Sequence, residues 1–148
     1  MGRFSYYSPE AIGQLLKKER NVYFIGIGGV SMSSLAEISH NAGYRVAGSD
    51  RTPSAITSAL ENAGITVYKG HDAKNCEGYT VFVYNAAVHE DNPEYAYAKE
   101  NGYPLIRRAD YLGYAATFYK TSIGVAGTHG KSTSTAMLGE HRYCYARR

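Results

Sequence analysis

The run Val22-Tyr23-Phe24-Ile25-Gly26-Ile27 does most to narrow what this chain can fold into. It is almost continuously apolar, with no alternation of polar side chains. Such a stretch suits a strand covered on both faces, as in parallel sheets packed between helices. Gly28-Gly29 follows, then a stretch from about Val30 to Asn41 with helical character, stopped by Gly43. Strand, glycine turn and helix make the first part of a βαβ unit.

The same alternation continues along the chain. Ser8 and Pro9 read as an N-cap and a first helical residue, opening a helix through Arg20 with Ile12, Leu15 and Leu16 on its apolar stripe. Tyr44 to Ser49 is a strand closing on Asp50. Thr52-Pro53 caps a helix that carries Ile56, Ala59, Leu60 and Ala63 on one face, and Gly64 stops it. Ile65 to Tyr68 and Thr80 to Tyr84 are strands. Asn92-Pro93-Glu94 opens a helix ending near Gly102, Leu105-Ile106 is a short strand, and a helix runs from Asp110 towards Phe118. Thr121 to Ala126 is the last strand expected. The pattern predicts an α/β fold, a Rossmann-like doubly wound parallel sheet. Right-handed crossovers then put the glycine turns at the carboxyl edge, where such sheets bind ligands.

Composition excludes several classes. With 44% apolar and 20% charged residues, the chain has the balance of an ordinary globular domain. Its net charge of +3 is spread along the sequence, so no nucleic-acid partner is expected. No apolar run approaches the roughly 18 residues a membrane span needs, so no membrane insertion is expected. Cys76 and Cys144 match no metal spacing, and Met1 to Glu10 is polar, unlike a secretory leader. These features favour a reducing, cytoplasmic setting. Fifteen tyrosines and no tryptophan suggest several phenols at the rim of the core.

Two loops carry chemistry. In Gly26-Ile27-Gly28-Gly29-Val30-Ser31, small residues let the backbone approach a diphosphate at a helix N-terminus rich in free N–H groups. The dinucleotide fingerprint asks for a third glycine where this chain has Ser31. Asp50 stands at about the distance of an acid that binds a ribose hydroxyl. The second loop, Gly127-Thr128-His129-Gly130-Lys131-Ser132-Thr133, is a compressed P-loop, because Val125 occupies the position of the usual first glycine. Its N–H groups would cradle phosphates, Lys131 would neutralise their charge, and the Ser132 hydroxyl would hold Mg²⁺.

Together with these loops, Gly48-Ser49-Asp50, Asn92-Pro93-Glu94 and Arg108-Ala109-Asp110 make the chain resemble the Mur ligase family over roughly residues 20 to 138. The most specific segment is GTHGKST from Gly127, which matches the family's ATP loop; its His129 form is similar to the branch that joins L-alanine to UDP-N-acetylmuramate. A sister branch, which reattaches a whole peptide to the same sugar nucleotide, fits the same motifs. The resemblance implies an ATP- and Mg²⁺-dependent amide ligase of peptidoglycan synthesis. The sugar-linked carboxylate is phosphorylated, and an amine then attacks the acyl phosphate to give amide, ADP and phosphate.

It also implies a UDP-sugar-binding domain over residues 1–120 and the start of the central ATP-binding domain over 121–148. Gly26, Gly28, Gly29, Val30 and Ser31 would contact the diphosphate and Asp50 the uridine end. Asn85-Ala86-Ala87 would form a small polar loop near the nucleotide, where relatives more often have Ser-Ser-Ala. Lys131 would carry the catalytic role. His71 sits in a family-like Gly-His pair and reads equally well as a surface loop histidine.

Such a ligase continues well past the second loop, so the fragment is expected to bind without turnover. The basic, tyrosine-rich tail from Gly139 lacks helical apolar spacing. By the resemblance, the Thr121–Ala126 strand lacks its neighbours, and an unpaired strand would favour self-association. Two other readings start from the loops: an NAD-binding redox or regulatory module, from the first loop and Asp50, and a non-catalytic fragment that sequesters UDP-sugars or ATP.

Overall fold

The helix boundaries follow from residues that satisfy the backbone groups a helix end leaves unpaired. The structure, a computed structural model, describes residues 6–145, with side chains described through residue 138. Ser8 caps α1 (Pro9–Glu19) by accepting from the Ala11 N–H, and Arg20 closes it in the left-handed region. Asn92 caps α4 (Pro93–Glu100) by accepting from Glu94 and Tyr95. The helix expected to be capped at Thr52-Pro53 starts later. Ser54 is its cap, in a reciprocal capping box with Thr57, and α3 covers Ala55–Asn62. Hydroxyls on both members of the pair outweigh the proline signal.

Five parallel strands form one sheet: β1 (Asn21–Ile25), β2 (Arg45–Asp50), β3 (Thr66–Lys69), β4 (Phe82–Tyr84) and β5 (Leu105–Arg107), in the order β3-β2-β1-β4-β5. The chain winds outward from β1 through α2 (Val30–Asn41) and α3, then crosses to β4 on the other side of β1. That reversal leaves a crevice between the carboxyl ends of β1 and β4. The remaining helix of this unit, α5 (Arg108–Ala116), begins at the end of β5 and two residues earlier than expected.

Both faces of the sheet are covered, as the apolar run predicts. Val22, Phe24, Val46, Val83 and Ile106 pack on one face with Ile12, Leu16, Leu35, Leu60 and Tyr111 from α1, α2, α3 and α5. Tyr23, Ile25, Ala47 and Phe82 pack on the other with Ala98 of α4 and Cys76 of a short 3₁₀ turn (Ala73–Cys76). Every side chain of β1 from Val22 to Ile25 is fully buried, each contributing about 1.5–3 kcal/mol. The tyrosines are not confined to the rim. Tyr23 and Tyr111 are fully buried, and each phenol has a partner: Glu94 at 2.8 Å and Ser39 at 2.7 Å.

The chain divides into two compact units, with the sheet and its helices in Met1–Phe118 and the rest in Tyr119–Arg148. In the second unit, Thr121–Ala126 is not a strand. A strand exists only through ladder hydrogen bonds to a neighbour, and no described strand pairs with this segment. The structure gives no support to self-association through this segment. From Lys131 the chain is helical, and α6 (Lys131–Tyr145) carries the backbone through most of the tail whose pattern had suggested no helix. The last three residues of that tail lie outside the described residues.

Candidate functional site

The crevice at the carboxyl edge is built by Ser49, Asp50 and the glycine loop. The Ser49 carbonyl accepts from both the Gly26 and the Ile27 N–H at 2.9 Å. The next residue continues the hold: Asp50 Oδ2 accepts from the Gly28 N–H at 2.9 Å, and its Oδ1 from the Thr52 N–H at 3.1 Å. Two adjacent residues at the end of β2 therefore fix three successive amides of the loop. Gly26 has φ +80, and a Cβ on Gly28 would lie 2.7 Å from Asp50 Oδ2, so both positions require glycine. Each carboxylate oxygen of Asp50 keeps a second acceptor position for a ligand hydroxyl.

Gly29 is the N-cap of α2 and has no side chain to cap the helix. The first turn, which holds Val30 and Ser31, thus presents its amides and the positive end of the helix dipole. Ser31, the residue in place of a third glycine, accepts a hydrogen bond from Arg108 Nη1 at 3.0 Å. Arg108 brings a guanidinium to the mouth of the helix from 77 positions away in the chain. Periodicity and spacing carried no signal for it. Arg107 beside it is held in a two-point bond to Asp110, at 3.0 and 3.2 Å.

Across the crevice, the Asn85 side chain folds into a local turn by accepting from the Ala87 N–H at 2.9 Å. A Cβ added at Gly26 would lie 3.7 Å from Asn85 Nδ2. Asn85 and Ala86 line a cavity of about 530 Å³ with Tyr84, Val88, Arg107 and Arg108. That volume is in the range of small-ligand sites. Burial raises the Tyr84 phenol above its ordinary value, so it stays neutral there. A smaller recess of about 70 Å³ lies on the other side of the loop between Asp50, Thr57, Tyr68 and Lys69. The structure thus brings Gly26, Gly28, Gly29, Val30, Ser31, Asp50, Asn85, Ala86 and Ala87 to one edge.

His71, open to two readings from sequence, is not a loose surface residue. Its Nδ1 is 2.8 Å from Ser49 Oγ and 2.9 Å from Glu94 Oε2, and only 12% of its side chain is exposed.

In the second unit, Gly130 has φ +74 and leads directly into α6 at Lys131. The Lys131 ammonium folds back across the loop and donates to the Gly127 carbonyl at 2.6 Å. Thr128, His129, Ser132 and Thr133 are exposed around it. Among the described residues, no group of three acidic, imidazole or thiol side chains could hold a metal ion.

Residues 21–120 match the model described as "Mur ligase family, catalytic domain". The chain belongs to the Mur ligase family. Among its Mur relatives, the UDP-N-acetylmuramate–L-alanine ligase of Clostridium tetani is 49% identical over 123 residues, covering 83% of this chain and 27% of that protein. The crystal structure of a UDP-N-acetylmuramate–alanine ligase from Thermotoga maritima matches with a TM-score of 0.76 and 32% identity, over 80% of this chain and 28% of the other. A UDP-N-acetylmuramate:L-alanyl-γ-D-glutamyl-meso-diaminopimelate ligase from Neisseria meningitides matches with a TM-score of 0.73 and 33% identity, over 80% and 37%. The chain spans about a quarter of the length of the curated Mur relatives it matches. Among the described residues, no helix is long and apolar enough to cross a membrane.

Proposed function

We propose that this chain is the UDP-sugar-binding part of an ATP-dependent ligase that joins L-alanine to UDP-N-acetylmuramate in cytoplasmic peptidoglycan synthesis. The observation that carries the reading is the uncapped N-terminus of α2 behind a glycine loop, held open at the topological switch point by Ser49 and Asp50. Gly28 and Gly29 let the diphosphate approach, the amides of Val30 and Ser31 in the first turn of α2 take it, and Arg108 supplies positive charge. Asp50 receives hydroxyls at the uridine end, and the cavity beside Asn85 holds a bulky group of the ligand.

The Gly127–Thr133 loop suits a nucleotide triphosphate. Its backbone turns sharply at Gly130 into a helix N-terminus, and the Lys131 ammonium sits where a phosphate would replace the Gly127 carbonyl. The Ser132 hydroxyl would hold Mg²⁺, which when bound would supply charge neutralisation. Lys131 neutralises and orients the phosphates. Within the 148-residue chain, binding is the expected activity, and amide formation belongs to the complete ligase.

The peptide-adding alternative shares this fold, because the sugar nucleotide is common to both reactions. A nicotinamide-dinucleotide reading draws no support from the family. Calorimetric titration with UDP-N-acetylmuramate, with NAD and ATP in parallel, tests the proposal. Saturable binding of the UDP-sugar that Asp50→Ala weakens is the expected result; binding of NAD alone would overturn it.

A further inference from the structure

The fullest buried polar cluster in the first unit centres on Glu94, in the first turn of α4, whose side chain is fully buried. Its Oε1 accepts from the Tyr23 hydroxyl at 2.8 Å, Asn75 Nδ2 at 3.3 Å and the Asp72 N–H at 3.4 Å. Its Oε2 accepts from Ser49 Oγ at 2.5 Å and lies 2.9 Å from His71 Nδ1. A carboxylate withdrawn from water is tolerated only when its lone pairs are taken up in this way.

Ser49 makes this cluster more than a core tie. Its hydroxyl is held by Glu94 while its carbonyl holds the Gly26 and Ile27 amides. One residue therefore joins the buried acid on one side of the sheet to the first two amides of the glycine loop. Resting on the proposed reading of the site, we infer that Glu94 is a positioning residue for the diphosphate loop, setting the affinity for the UDP-sugar through Ser49 without touching the ligand. A loop already held in its bound shape pays less ordering cost on binding.

Glu94→Gln is the sharpest probe. Both carboxylate oxygens face donors, so an amide NH₂ placed on either side meets at least one group that can only give a proton, or forces Ser49 and His71 to rearrange. The expected result is a loss of about tenfold in affinity for UDP-N-acetylmuramate, and a similar loss for Ser49→Ala. If Glu94 acts through Ser49, the double variant is no weaker than the weaker single one. In the unliganded chain, both substitutions should speed hydrogen exchange at the Gly26 and Ile27 amides. Tyr111→Phe, which removes a buried hydroxyl bonded to Ser39 elsewhere in the core, should lower the melting temperature and leave affinity and loop exchange unchanged.

Wild-type affinity and exchange in folded Ser49→Ala, or additive losses in the double variant, would overturn the inference. Should Glu94→Gln fail to fold, Ser49→Ala alone decides. If the wild-type chain does not bind the UDP-sugar, the functional reading fails, while the exchange rates still decide whether Glu94 holds the loop.

Discussion

The Gly28 N–H donates to Oδ2 of Asp50 at 2.9 Å, binding the end of β2 to the glycine loop that follows β1. The acid thereby shapes the loop as well as facing the crevice. Asp50→Ala should therefore weaken UDP-N-acetylmuramate binding by about tenfold or more, since a charge-assisted bond is lost along with any ligand contact. Calorimetry measures the loss. An unchanged affinity would show that the loop holds its shape without Asp50.

Gly48 marks a close approach inside the sheet. A Cβ there would fall 2.4 Å from the Phe24 carbonyl oxygen and 2.8 Å from Ile27 Cβ, and the backbone cannot yield as a side-chain tip can. Gly48→Ala should cost at least about 1–3 kcal/mol of stability, read from the urea midpoint at constant m-value. A neutral result would mean that β1 and β2 separate easily at this register.

Arg108 offers a test of the electrostatic part of the site. Its guanidinium meets Ser31 at the N-terminus of α2 at 3.0 Å. Arg108→Ala should weaken UDP-sugar binding and also flatten its salt dependence, because one cation facing the diphosphate is gone. Titrations at low and high ionic strength separate this from a packing loss, which would lower affinity equally at both.

Lys131→Ala should remove ATP binding while leaving UDP-N-acetylmuramate binding intact, since the two loops lie in separate compact units. Parallel titrations of each nucleotide check both halves. Loss of UDP-sugar binding in this variant would assign Lys131 to the wrong ligand.

Burial, with smaller contributions from Glu94 and Asp72, pushes the Cys76 thiol up to about 12 from an ordinary 9.0. The protonated form is neutral, so the native chain retains a proton that the unfolded chain releases above about pH 9. This contribution to stability is complete below that pH and is lost as pH rises towards 12. In a Cys144→Ala background, iodoacetamide should modify Cys76 at about pH 9 only after denaturant is added. Ready labelling of the folded chain would contradict the burial.

The sequence by itself determined the parallel sheet, because the run Val22 to Ile27 admits few other homes and the caps at Ser8 and Asn92 act within a few residues of themselves. The glycine loop and Asp50 were legible for the same reason: a tight turn between strand and helix is a local requirement. The second loop was legible from its own glycine and lysine spacing, and family motifs added the residues around Asn85. Tertiary structure decided the rest. Arg108 reaches Ser31, and Glu94 reaches Ser49, only after β5 and α4 have been laid beside the strands that precede them, and periodicity has no access to contacts across 45 or 77 positions. Ser54 displaced Thr52-Pro53 as the cap of α3 through a side-chain bond with Thr57 that composition only hinted at. The Thr121–Ala126 segment shows the converse limit. Its residues have strand character, but a strand is a relation between two segments, and sequence pattern alone cannot supply the partner.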